Sequence, residues 1–203
     1  MFRLYSERAA GCAIERESVF ICGVAAEYGI PTSWIQAILL KEMTEIDLFD
    51  LAADLAVKAH YLWYRMTGRE SQSRVLGKRD SSTGWSQIFG FVAINALNRA
   101  VDRSITDYKA LGIHANRRLQ SENPDDLWLI WRRLNRDRHF NIELCALNLL
   151  ACAEEMTGRT DVSTFSEEET KRTFTRYNAN VRSITKYGVT VYDYTRRYWN
   201  QQL

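Results

Sequence analysis

Two prolines and ten glycines are all that interrupt a chain of 203 residues. Between them, apolar side chains recur almost throughout with the 3.6-residue period of a helix. A sequence so poor in breakers favours long helices and leaves little room for strand, so the expected fold is all-α, mainly helical with little or no sheet. The 46% hydrophobic content suffices for one sizeable core. No linker, low-complexity tract or internal repeat divides the chain, and residues 1–203 read as a single domain.

A first helix is expected from Glu7 to Tyr28, stopped by Gly29, so that residues 1–29 form an N-terminal helical segment. Pro31 and Thr32 start a second helix, whose buried stripe is Ile35, Ile38, Leu39 and, against expectation for a stripe, Glu42. A third, from Asp47 to Met66, repeats Leu48, Leu51, Ala52, Leu55, Ala59 and Leu62 before Gly68. The polar stretch 69-RESQSRVLGKRD-80 follows, then the small polar run Asp80, Ser81, Ser82 and Thr83, which can cap a helix carrying Ile94, Leu97 and Val101. Asn123, Pro124 and the two acids after them mark another start. Residues 140–158 form a strongly apolar helix ended by Gly158. Ser166 with Glu169 is a capping box for the helix over 167–178. A last helix carries Val191, Tyr194 and Tyr198.

Several functional classes are disfavoured at once. The 27 basic and 25 acidic side chains leave a net charge of +2, without the imbalance of a polyanion binder. The Arg132, Arg133, Arg136 and Arg138 cluster reads as a solvated helix face. The longest apolar run, 19-VFICGVAA-26, is too short to span a bilayer, and the N-terminus lacks the pattern of a secretory signal. Cys12, Cys22, Cys145 and Cys152 form no C-x-x-C pair and read as buried free thiols. His60, His114 and His139 are scattered, so no metal and no cofactor is expected.

Glu42 lies four residues after Ile38 and seven after Ile35, on the buried stripe and at the C-terminal end of its helix. Desolvation and the helix dipole both disfavour its charged form and raise its pKa. A carboxylic acid kept protonated near neutral pH is what glycosidic cleavage needs to protonate the departing oxygen.

The order of segments then resembles the soluble lytic transglycosylase and goose-type lysozyme families of the lysozyme-like superfamily, which cleave peptidoglycan between N-acetylmuramic acid and N-acetylglucosamine. Their helix ending in the catalytic glutamate resembles 35-IQAILLKEM-43, and their G-x-x-Q-I turn resembles 82-STGWSQIF-89. A later N-I helix is similar to 141-NIELCALNLL-150, and a Tyr-Asn segment to 173-TFTRYNAN-180. Tyr187, Gly188, Val191 and Tyr194 resemble the family's closing pattern. Met43, Trp85, Ser86 and Asn180 differ from its commoner residues, and 44–79 is a helical insertion placed to wall or cover the cleft.

The resemblance implies a lysozyme-like fold with Glu42 as general acid. It implies that Gly84 lets the backbone pass close to the sugar and that Gln87 reaches the substrate or the acid. Ser82 and Thr83 would line the groove, Trp85 would stack on a sugar or serve as a core aromatic, Tyr177 would hold the acid, and Asn178 would cap its helix or touch the glycan. An inverting hydrolase would need a second carboxylate about 6.5–9.5 Å away. Asp80 leads the candidates for that base, ahead of Glu45 and Asp47. A lytic transglycosylase needs no separate base, because the muramic acid C6 hydroxyl attacks internally, and that route is the expected one.

Peptidoglycan strands are the expected partner, with no nucleic acid and no membrane span. Action in the periplasm or outside the cell would follow specialised export or lysis, with phage or secretion machinery or an immunity protein as further partners. The alternatives are a catalytically inactive glycan-binding module, disfavoured by the retained Glu42, and a helical interaction or DNA-binding protein, disfavoured by the balanced charge.

Overall fold

The computed structural model describes residues 3–71, 73, 77–181 and 183–199, without the side chains of Tyr198 and Trp199. It is all-α but for one small hairpin. In chain order the described elements are α1 (Glu7–Arg16), α2 (Ser18–Tyr28), α3 (Thr32–Met43), α4 (Leu48–Thr67), β1 (Ser82–Thr83), β2 (Ile88–Phe89), α5 (Gly90–Asp102), α6 (Pro124–Arg136), α7 (Arg138–Thr157), α8 (Glu167–Asn178) and α9 (Lys186–Trp199).

Two helices make the centre. α3 buries Trp34, Ile35, Gln36, Ala37, Ile38, Leu39, Leu40, Glu42 and Met43, so it is packed on every face rather than along one stripe. α1, α2, α7 and α9 pack around it. α7 buries twelve residues from Phe140 to Ala153 and touches α2, α5, α6 and α8 as well. With both helices wrapped all round, polar groups on them depend on partners inside the protein, and Gln36 Oε1 on α3 finds none among the described residues.

Most expected helix ends are present for the expected reasons. Gly29 and Gly158 stop α2 and α7 in the left-handed conformation. Asn123 accepts from the Asp125 and Asp126 amides ahead of α6, and Ser166 and Glu169 form the capping box of α8. The expected helix over 7–28 is instead two, broken at Glu17. No glycine or proline marks that break. The Glu17 carboxylate there takes Arg138 and, at 3.0 Å, His139 from the start of α7. In α9 Val191 is buried and Tyr194 half-buried, while the Tyr198 side chain lies outside the described residues.

α4 reverses what its spacing suggests. Its apolar stripe exists, but Leu48, Leu51, Leu55 and Leu62 are exposed, while Asp54, Val57 and His60 are the residues turned inward. Polar anchoring explains this. Asp54 accepts from Ser81 at 2.8 Å, Thr83 at 2.9 Å and Asn135 at 2.7 Å. Tyr61 donates to Asp125 and stacks on Trp128. The cysteines also divide, with Cys12 and Cys22 exposed and Cys145 and Cys152 buried as free thiols.

The hairpin pairs Ser82 with Phe89 and Thr83 with Ile88 and is pinned from four helices. Besides Asp54 of α4, the Trp131 indole of α6 donates to Ser81 at 3.1 Å. Asn141 of α7 accepts from the Ser86 amide and hydroxyl. Tyr177 of α8 donates to the Ser86 carbonyl at 2.9 Å. Gly84 closes the turn at φ +72, and a Cβ there would fall 2.1 Å from Asn141 Nδ2 and 2.5 Å from the Leu134 carbonyl. Replacing Gly84 with alanine therefore combines a disfavoured φ with a steric clash and should cost about 2–4 kcal/mol. Denaturant unfolding of the two forms checks this, with a midpoint shift and an unchanged slope as the expected outcome.

Candidate active site

Glu42 is the penultimate residue of α3 and is 8% exposed. Its carboxyl is pushed up from 4.5 to about 7. Burial is the main cause, since a desolvated carboxylate loses its hydration. A hydrogen bond from Tyr187 opposes the rise, Glu45 and Asp50 add to it by like-charge repulsion, and Lys41 opposes it. Tyr187 Oη donates to Glu42 Oε1, while the Lys41 ammonium lies 5.5 Å from the centre of the same tyrosine ring. Burial also drives the Tyr187 hydroxyl well above its usual value, so it keeps its proton and remains a donor. Oε2 makes no hydrogen bond among the described residues.

The carboxyl opens into a pocket of about 390 Å³. Ser82, Gln87 and Phe89 from the hairpin line it opposite Tyr177 and Asn178 from the end of α8, and Glu45, Asp47 and Asp50 close it at the start of α4. The N-terminal strap borders it through Arg3, tied down by the Leu4 amide on the Ile46 carbonyl at 2.9 Å. Phe89, Tyr177 and Asn178 also line a second hollow of about 600 Å³ that runs out between α5, α7 and α8. The two hollows have Phe89, Tyr177 and Asn178 in common, and Glu42 lines the smaller of them. The Ser82 hydroxyl and the Asn178 amide make no hydrogen bond among the described residues, so both are available to a ligand.

Segments far apart in sequence thus meet here, but the individual residues divide. Glu42, Ser82, Gln87, Tyr177 and Asn178 line the pocket. Gln87 does so at φ +46, with its side-chain amide on the Gly84 carbonyl at 2.8 Å. Thr83 is turned into the Asp54 network and is 1% exposed. Gly84 meets Asn141 and Leu134 rather than the groove. Trp85 lies under the Arg138 guanidinium at 4.9 Å and is absent from the pocket lining. Asn178 is the last residue of α8 and projects into both hollows instead of capping the helix.

Asp80, the leading candidate for a base, is not in the pocket wall. Its two oxygens accept from the Gly90 amide at 2.9 Å and the Phe91 amide at 2.8 Å, which makes it the cap of α5. Burial raises its pKa and those amides oppose the rise. The carboxylates that do line the pocket are engaged as well. Glu45 pairs with Lys41, Asp47 caps α4, and Asp50 returns a bond to the Asp47 amide at 2.9 Å. Among the described residues no three His, Cys, Asp or Glu side chains are grouped as a metal ion would require, and no helix is long and apolar enough to cross a membrane.

Two residues that matter here carry no local sequence signal. Tyr187 belongs to a recognisable closing pattern, yet nothing in its neighbourhood ties it to Glu42, 145 positions away. Asp54 sits on what reads as the polar face of an insertion, and only the fold reveals it as the anchor of the hairpin.

Comparison with protein-family models, with curated proteins and with solved structures gives no match for this chain. What fold and site define on their own is an all-α protein with a buried glutamate, its pKa raised by desolvation, lining a pocket.

Holding that proton has a cost in stability. Between 4.5 and about 7 the folded chain keeps a proton on Glu42 that the unfolded chain has released. Stability from this group is therefore greatest below pH 4.5 and falls as pH rises through that window, by on the order of 3 kcal/mol. The Glu42→Gln protein, which cannot ionise there, should melt above the parent at pH 8 and level with it at pH 4. Thermal melts at the two pH values check this, and an equal difference at both would refute a pH-linked cost.

Proposed function

We propose that the protein cleaves the β-1,4 bond between N-acetylmuramic acid and N-acetylglucosamine in peptidoglycan, with Glu42 as the general acid. The observation that carries this reading is the Glu42 carboxyl itself: buried, pushed to about 7, bonded on Oε1 by Tyr187 and opening on a pocket lined by Ser82, Gln87, Tyr177 and Asn178. A carboxyl at that value still holds a proton near neutral pH and gives it up readily, which matches what a departing sugar oxygen requires. The resemblance of 35–43, 82–89, 141–150 and 173–180 to the lytic transglycosylase and goose-type lysozyme segments supports the same reading. So does their convergence, since Glu42, Ser82, Gln87, Tyr177 and Asn178 border one pocket and Asn141 holds the hairpin that carries two of them.

In this mechanism Glu42 Oε2 gives its proton to the leaving O4 as the bond from C1 breaks. The muramic acid C6 hydroxyl attacks C1 from within the same sugar. Its proton passes to the Glu42 carboxylate, which restores the acid and leaves a 1,6-anhydro ring. The transglycosylase route is favoured over hydrolysis because every other carboxylate on the pocket already has a structural task, in a salt bridge or a helix cap. Asp80 is withdrawn as base, since both its oxygens cap α5.

Incubation with purified peptidoglycan tests the proposal. The expected soluble products end in 1,6-anhydro-muramic acid, lighter by one water than reducing-end fragments. Glu42→Gln should lower their rate of appearance by about 10²–10⁴ while keeping the native circular dichroism. Release at the parental rate by the glutamine variant would remove Glu42 from the chemistry, and reducing-end products alone would replace the transglycosylase by a hydrolase.

A further inference from the structure

The outward face of α4 has no partner among the described residues. Leu48, Leu51, Leu55, Leu62 and Met66 stand 57%, 44%, 65%, 62% and 84% exposed, and Phe49 and Trp63 widen the stripe at 75% and 45%. At about 100° per residue, the arc from Leu51 to Phe49 covers roughly 160° of the helix. The acids of α4 are all turned away from it. Asp50 faces the Glu42 pocket and Asp54 is buried in the hairpin network. An exposed apolar surface of this extent in a soluble chain marks a place of contact.

Cations lie beside the stripe. Arg65 of α4 faces Arg132 and Arg136 of α6 across a groove of about 580 Å³, with Tyr61, Trp128 and the exposed Leu129 between them. Asp125, at the same groove, is already engaged by Tyr61 and Arg65. Arg132 and Arg136 are exposed and pair with no carboxylate among the described residues.

We propose that this face seats the protein on an anionic membrane surface, with the apolar arc of α4 at the acyl boundary and Arg65, Arg132 and Arg136 on headgroup phosphates. A wide apolar arc containing Trp, Phe and Leu and flanked by arginines is the pattern of a helix lying in the membrane interface. A partner helix would need only a narrower seam. A second copy docked through the same face would bring the same cations and no acid from the α4 stripe to meet them. The inference stands apart from the glycosidase reading, because none of its residues lines the Glu42 pocket except through the far side of α4.

Flotation of the full chain with vesicles tests it, using phosphatidylcholine alone and phosphatidylcholine mixed with phosphatidylglycerol. Binding to the mixed vesicles that weakens as salt is raised is expected, with little binding to phosphatidylcholine alone. Replacing both Arg132 and Arg136 by serine should weaken binding about thirty-fold. The Leu55→Glu, Met66→Glu double variant should abolish it, with both variant proteins melting like the parent. Failure to float with either vesicle, or flotation unchanged in the two variants, overturns the proposal. So does a dimer in light scattering that Leu55→Glu with Met66→Glu dissolves, since a second copy would then cover the face.

Discussion

Burying a carboxyl at the end of a helix that is packed on every side is the constraint around which the rest of the structure is arranged. α3 offers no solvent-facing side to which Glu42 could turn. The protein answers with one directed hydrogen bond, from a tyrosine whose own burial keeps it protonated. That bond offsets only part of the desolvation, and the carboxyl stays near neutral value. A second donor, or a closely placed guanidinium, would stabilise the charged form and remove the proton-donating property. The folded state is therefore less stable at neutral pH than it would be with the carboxylate fully paired.

The second organising element is polar rather than apolar. A hairpin of only two paired residues per strand has too little ladder to hold itself. It is instead fixed by Asp54, Trp131, Asn135, Asn141 and Tyr177, side chains from four helices, each bonded to a group between Ser81 and Ser86. This network sets the position of Ser82 and Gln87 relative to Glu42. It also determines how α4 lies, because satisfying Asp54 inward leaves the leucines outward. Buried polar groups left unpaired cost more than exposed apolar ones, so the polar demand wins.

Sequence periodicity was enough to read α3, α7 and the acid on α3, because a buried helix with one carboxylate near its end stands out from its neighbours. The caps at Asn123 and Ser166 and the stops at Gly29 and Gly158 were legible for the same local reason. The orientation of α4 was not. An amphipathic pattern tells which residues share a face, and not which face the fold turns inward. No glycine or proline announces the break at Glu17, and the partners of its carboxylate, Arg138 and His139, lie more than a hundred positions away. The resemblance implies that Gly84 lets the backbone pass close to a sugar, whereas the close approach found there is that of Asn141 and Leu134. Asp80 reads in the sequence as a turn or cap residue first and as the leading candidate for a base second, and its two amide donors show the first.

The central claim is that Glu42 holds a proton near neutral pH under the opposing influence of one tyrosine. Titration of the Glu42 side-chain carboxyl by ¹³C NMR, in the parent and in Tyr187→Phe, addresses it most directly. A parental midpoint near 7 is predicted, moving higher in the phenylalanine variant, because removing a donor to the carboxylate disfavours its charged form. A parental midpoint in the ordinary range near 4.5, or one that stays put or falls when the Tyr187 hydroxyl is removed, would contradict the account.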